Sequence, residues 1–231
     1  MAGARLDKLL AERGLGTRKE VRRFVKKGLV AVDGEPVKDV SMHVPDGAEV
    51  TLNGEPVLAP PPVVIYHKPN GVVSTTEDPW GRPCLGTEMA SYLALGLHPV
   101  GRLDAETTGL MLFMQDGTIT QRMLHPKYAV EREYLARVEN VPDDRLVQTL
   151  AAGVETAEGR FAADVLAIEG DVVRLVVREG KHRMVRRILA NSGHPVLDLQ
   201  RVRFGEVRLG DLPEGDARLP TEAEAAWLAE R

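Results

Sequence analysis

Asp104 is the residue with the clearest potential for chemistry. It ends the segment Gly101-Arg102-Leu103-Asp104, a short polar stretch enclosed by apolar residues, with the continuous apolar run Gly109–Met114 close behind it. A carboxylate held there can act as a nucleophile or as a general base. An aspartate at the end of a strand also closes turns and caps helices, and on residue type alone that role outweighs catalysis. Other catalytic schemes lack their residues. There is no phosphate-binding Gly-x-x-x-x-Gly-Lys loop, no Gly-x-Gly-x-x-Gly after a strand and no Gly-x-Ser-x-Gly elbow. The six histidines (43, 67, 98, 125, 182 and 194) form no metal-binding pair at helical spacing. The single cysteine, Cys84, excludes an intramolecular disulfide and a multi-cysteine zinc site. Neither a metal nor a cofactor is expected.

Cationic side chains form a second group. The net charge of −4 over 231 residues hides two basic clusters. Thr17–Gly28 carries Arg18, Lys19, Arg22, Arg23, Lys26 and Lys27 against Glu20 alone. Arg174–Arg187 carries Arg174, Arg178, Lys181, Arg183, Arg186 and Arg187 against Glu179 alone. Local patches, not the total, govern attraction to phosphate, although a solvated helix face has the same composition.

The elements that must position these groups divide at Ala59-Pro60-Pro61-Pro62, because three prolines in a row favour a stiff extended connector. The expected organisation is a small domain over residues 1–58, a linker over 59–62 and a larger domain over 63–231. In the front piece, Leu6, Leu9 and Leu10 form one helical stripe that ends at Gly14 and Gly16. Thr17, with Glu20 three residues on, predicts a capping box for a second helix, with Val21, Phe24 and Val25 inward and Arg18, Arg22 and Lys26 outward. Asp33-Gly34 and Asn53-Gly54 predict tight hairpin turns. The back piece alternates strands (63–66, 109–114, 134–138, a hairpin over 161–168 and 171–178, and 196–204) with a helix over 183–191. The fold class is α+β, with a mixed, largely antiparallel sheet and helices on one side. No apolar run approaches the length of a membrane span and the N-terminus lacks a secretion signal, so a cytoplasmic protein is expected.

The stretch from Arg5 to Val37 resembles the S4 domain, an RNA-binding module that also occurs on proteins without catalytic activity. In the back piece, His98-Pro-Val-Gly-Arg-Leu-Asp-Ala-Glu-Thr-Thr-Gly-Leu-Met-Leu-Phe113 resembles the signature of the RsuA-type pseudouridine synthases, which act on ribosomal RNA. Three further segments match in order: Tyr66-His-Lys-Pro-Asn-Gly71, Glu131-Arg-Glu-Tyr-Leu-Ala-Arg-Val138 and Arg178-Glu-Gly-Lys-His-Arg-Met-Val-Arg-Arg187. The resemblance covers nearly the whole chain.

It implies an S4-like helix-turn-helix domain joined to a pseudouridine synthase catalytic domain, with Asp104 as the catalytic aspartate, acting as nucleophile or base, and Tyr134 as the active-site tyrosine. Arg186 is the implied basic partner of Asp104, holding the carboxylate ionised through two hydrogen bonds. Leu199 is the aliphatic residue implied beside the tyrosine; Leu197, two residues away, is expected on the same strand face. RNA contacts are expected at Arg18, Lys19, Arg22 and Arg23 in the front domain, and at Lys68, Arg102, Lys181, Arg183 and Arg187 in the back one. Arg183 stands where relatives often carry glutamine. Tyr66, Trp80, Cys84 and His125 are assigned structural roles. The implied reaction is isomerisation of a uridine in ribosomal RNA, large-subunit before small-subunit, by a monomer without a cofactor after the base leaves its stack. The implied partner is ribosomal RNA or a ribosome-assembly intermediate, with no membrane. The competing function is a non-catalytic S4-type RNA-binding or ribosome-assembly protein.

Overall fold

The computed structural model describes residues 3–231. They fall into two compact units that divide after Pro61, with Ser91–Gly96 grouped with the first.

In the first unit, α1 (Leu6–Glu12) and α2 (Arg18–Lys26) are followed by a four-stranded antiparallel sheet. Its strands are β1 (Val30–Val32), β2 (Glu35–Pro36), β3 (Val50–Leu52) and β4 (Glu55–Pro56). The capping box forms as expected: Thr17 Oγ accepts the Glu20 amide at 3.3 Å, and the Glu20 carboxylate accepts the Thr17 amide at 2.8 Å. Asp33-Gly34 and Asn53-Gly54 both take positive φ at their two central residues, the backbone that a two-residue hairpin needs. Leu6, Leu10, Val21 and Val25 are fully buried against Val30, Val44 and Val50, whereas Leu9 and Phe24 only flank this core.

After the first unit the chain runs β5 (Val63–Lys68), α3 (Leu85–Glu88), α4 (Ala90–Ala94, which from Ser91 on groups with the first unit), β6 (His98–Pro99), β7 (Thr107–Met114), α5 (Gly117–Leu124) and β8 (Arg132–Val138). It continues through α6 (Arg145–Ala152), the hairpin β9 (Val154–Thr156) and β10 (Gly159–Phe161), β11 (Asp164–Glu169) and β12 (Val172–Val177). It closes with α7 (Met184–Asn191), β13 (Val196–Phe204), β14 (Val207–Arg208), β15 (Ala217–Arg218) and α8 (Glu222–Ala229). Among the described residues the main sheet has the order β11-β12-β8-β13-β7-β5-β15, with β14 on β13 and β6 on β7. Among the described strands of this sheet only β7 and β13 pair in parallel, and the other strand pairs are antiparallel.

Helices α5 and α8 bring Met123 and Leu228 onto Val63, Ile65, Leu110, Leu112 and Phe204. At the centre of the sheet burial is not confined to one face. Every residue of β5 is buried, and so are seven of the eight residues of β7, so both faces are covered there. Their apolar runs do not alternate, which is the pattern of a strand buried on both sides. No helix among the described residues is long and apolar enough to cross a membrane.

Candidate active site

A cavity of about 530 Å³ opens over one face of the main sheet. That is within the usual size of a small-ligand pocket. Alternation along the strands sets its floor: Arg132 and Tyr134 from β8, Val177 from β12, and Leu199 and Arg201 from β13. Cross-strand register places Tyr134 opposite both Leu175 and Arg201, and Leu199 between Ala136 and Thr107. The walls come from Val73 and Ser74, from residues 101–105, and from the basic segment 179–185.

Asp104 lies in the loop that feeds β7, and its partly exposed side chain lines the cavity. Two neighbouring segments fix that loop. Ser74 Oγ donates to the Leu103 carbonyl at 2.6 Å and accepts the Leu103 amide at 3.1 Å. The Asp104 carbonyl accepts the Thr107 amide at 3.0 Å, and the Ala105 carbonyl accepts the Gly71 amide at 2.9 Å. Gly109, at φ +109°, lets β7 run close beside β13; a Cβ there would meet the Arg201 carbonyl oxygen at 2.3 Å.

Lys68 requires a correction. It is fully buried, so it is no RNA contact in this structure. Its ammonium donates to the carbonyls of Pro69 (2.8 Å), Val72 (2.9 Å) and Ala105 (3.2 Å), tying the turn after β5 to the residue that follows Asp104. Burial pulls its pKa down to about 8, against the opposing charges of Asp104 and Glu214.

Arg186 also departs from expectation. It forms no ion pair with Asp104. Its Nη2 donates to the Glu106 carbonyl at 3.0 Å and its Nη1 to that of Val196 at 3.2 Å. Its Nε has no hydrogen-bond partner and lies 4.0 Å from the Glu106 carboxylate. Burial lowers its pKa, while the charges of Glu106 and Asp104 oppose the fall. Arg183 meets the same Glu106 carboxylate at 3.0 Å. Glu106 has therefore taken the place expected for Asp104, and Arg186 braces the backbone two residues beyond the acid. The Asp104 carboxylate carries no hydrogen bond or ion pair among the described residues.

Tyr134 is 8% exposed and lines the cavity, its hydroxyl without a hydrogen-bond partner among the described residues. Leu199 lies in the cavity floor, whereas Leu197 is 46% exposed. The two do not share a face, because a bulge between Val196 and Asp198 leaves Leu197 outside the register. Arg102, Lys181 and Arg183 line the cavity; Arg187 does not, being held by Glu158 and His182. Trp80, assigned to structure, is 76% exposed, with Arg82 stacked 4.9 Å from its ring centre.

Two cavity arginines escaped the sequence reading, Arg132 and Arg201. Strand alternation from Tyr134 and Leu199 is the cue that points to them. In the first unit, Arg18 and Arg22 reach the buried Asp7 at 3.0 and 2.9 Å. Burial works to raise the Asp7 pKa, but hydrogen bonds from Arg22 and Arg18 prevail and hold it at about 2. Lys19 and Arg23 remain exposed on α2.

The geometry thus offers an unpaired carboxylate, an aromatic ring and an aliphatic wall in a cavity with cations at its rim and in its floor. Such a site can receive a planar base and place a carboxylate at the attached sugar. Residues 62–205 match the family model for RNA pseudouridylate synthase, and residues 4–50 match that for the S4 domain. The chain is 32% identical over 232 residues to ribosomal large subunit pseudouridine synthase B of Bacillus subtilis, covering 97% of this chain and 95% of that protein. It is 37% identical over 220 residues to the protein of the same name from Xylella fastidiosa strain Temecula1, covering 89% of this chain but 46% of that longer protein. A solved structure described as a pseudouridylate synthase superposes with a TM-score of 0.67 at 29% identity, covering 98% of this chain and all of that one. The cavity, its carboxylate and these matches together place the chain in the RNA pseudouridylate synthase family, carrying an S4 domain ahead of its catalytic domain.

Proposed function

We propose that this enzyme isomerises one uridine of ribosomal RNA to pseudouridine, in the large subunit in preference to the small, with Asp104 acting at the ribose. The observation that carries the proposal is the unpaired Asp104 carboxylate in a cavity shared with Tyr134 and Leu199. RNA binding alone does not call for such a group.

The reaction breaks the bond from ribose C1′ to uracil N1, turns the base, joins C1′ to C5, releases the C5 proton and protonates N1. No atom is lost from the base apart from that exchanged proton, and no net oxidation occurs, so the scheme needs no cofactor. Asp104 attacks C1′ or removes the C2′ proton. Tyr134 and Leu199 hold the everted base between an aromatic and an aliphatic surface. Arg186 and Lys68 are positioning residues that fix the two residues following Asp104. Arg102, Lys181 and Arg183 guide the phosphate backbone at the rim, and Lys19 and Arg23 bind it from residues 1–58. The enzyme works as a monomer in the cytoplasm, on ribosomal RNA or an assembly intermediate.

The test is tritium release from ribosomal RNA labelled at uracil C5. Release from large-subunit RNA is expected. Release from small-subunit RNA alone refutes the subunit assignment, and none from either refutes the activity.

A further inference from the structure

The floor of the cavity holds two buried cations that the scheme above leaves without a task. Arg132 is 4% exposed and Arg201 3%. Neither forms an ion pair with a carboxylate among the described residues. The nearby acids of the Glu131-Arg-Glu-Tyr segment alternate away from Arg132 along β8. There Glu131 is taken by Arg178 and Arg203, and Glu133 by Arg174 and Arg203.

Arg132 donates to the carbonyls of Val130 (2.9 Å), Arg178 (3.2 Å) and Met123 (3.0 Å), which explains its position but leaves its charge uncompensated. Arg201 donates Nε to the Leu110 carbonyl at 2.8 Å, while its buried Nη2 finds no partner. Both guanidinium groups lie over the Phe204 ring, at 4.8 and 5.0 Å. Two cations facing a common ring without an anion are costly to bury unless a negative charge arrives from outside the protein.

We propose that Arg201, supported by Arg132, stabilises the negative charge that develops on the uracil ring when its bond to the sugar breaks. The inference rests on the uridine-isomerisation reading. Whether Asp104 attacks C1′ or takes the C2′ proton, the electron pair of the C1′–N1 bond leaves with the base. The resulting uracil anion carries its charge on N1, O2 and O4 until C5 bonds to C1′; loss of the C5 proton and protonation of N1 then complete the product. A preorganised cation at that point acts on the transition state more than on the bound substrate. Arg201 is placed for this role by its position opposite Tyr134 and two residues from Leu199 on the same face.

The experiment uses the full chain and a synthetic stem-loop spanning the uridine that the wild-type enzyme converts, with uridine or 5-fluorouridine at that position. Fluorine stabilises the departing anion, so an enzyme lacking its cation gains more from it. Arg201→Gln keeps a donor for the Leu110 carbonyl, and Arg201→Met fills the space without charge. Consumption of the target nucleoside is followed under single-turnover conditions. Each variant should lose on the order of 10²-fold with uridine at unchanged RNA affinity, and the loss should shrink about tenfold or more with 5-fluorouridine. An equal loss on both substrates, as a merely structural arginine would give, overturns the proposal, and so does no loss.

A further measurement leaves Arg201 intact. In Asp104→Asn bound to the fluorinated stem-loop, the fluorine resonance should report ionisation of the base at lower pH than in the free RNA. An equal or higher pH overturns the proposal. Failure of the wild-type chain to convert the uridine stem-loop would instead count against the isomerisation reading.

Discussion

Lys68→Met tests whether the buried lysine is a tether for the Asp104 loop or a contact for RNA. Its ammonium holds three carbonyls. That of Ala105 keeps the Gly71 amide after truncation, so two, of Pro69 and Val72, lose their donor. At about 1–3 kcal/mol for each buried acceptor left unpaired, the loss is about 2–6 kcal/mol. Methionine also removes the cost of burying a charge, which the fall in pKa from 10.5 to about 8 sets at roughly 3 kcal/mol. The net destabilisation is therefore small, about 1 kcal/mol. The catalytic effect is larger, because the link to Ala105 is gone and a displacement near 1 Å costs about 10²-fold in rate. Urea denaturation and single-turnover tritium release measure the two effects. The sign of the pH dependence follows from linkage. Between about pH 8 and 10.5 the unfolded chain holds more protons on Lys68 than the folded one, so wild-type stability gains from this group as pH rises through that window. Lys68→Met lacks that gain. Wild-type turnover at saturating RNA, combined with weaker binding and a flatter salt dependence, would refute the tether and restore the phosphate contact.

Further predictions concern the supports around the same loop and the RNA-binding face. Gly109→Ala should destabilise the catalytic domain by about 3 kcal/mol or more, read by urea denaturation, since a positive φ and a contact 2.3 Å from a strand backbone combine there. Arg186→Gln should slow single turnover while leaving the salt dependence of RNA binding unchanged, because the guanidinium braces backbone and is 8% exposed. Lys19→Ala and Arg23→Ala should weaken RNA binding and flatten its salt dependence without altering the single-turnover rate. Asp7→Asn should reduce the stability of the first unit, and the wild-type contribution of Asp7, present above pH 3.8, should fade toward pH 2.

Local chemistry made much of the fold legible. Thr17 with Glu20, and the two turns Asp33-Gly34 and Asn53-Gly54, specify backbone conformations by themselves and appear where expected. Asp104, Tyr134 and Leu199 were legible only through the ordered family motifs, and the fold brings all three into one cavity. What stayed hidden depends on partners distant in sequence. Lysine and arginine are almost never fully buried unless paired, so Lys68, Arg132 and Arg201 do not announce themselves as interior groups. The bulge that turns Leu197 away from Leu199 adds one residue to the strand and leaves the alternating pattern intact to the eye. Glu106 looks like one more loop acid, and only the fold shows it drawing Arg183 and Arg186 away from Asp104. Arg18 and Arg22 look like a free basic face until Asp7 is found beneath them.

The most direct test compares wild type with Asp104→Asn on purified large-subunit ribosomal RNA, mapping pseudouridine by chemical derivatisation and measuring RNA affinity in parallel. The expected result is a single modified uridine with wild type and none with Asp104→Asn, at equal affinity. Modification by Asp104→Asn at the wild-type rate would contradict the central role of that carboxylate.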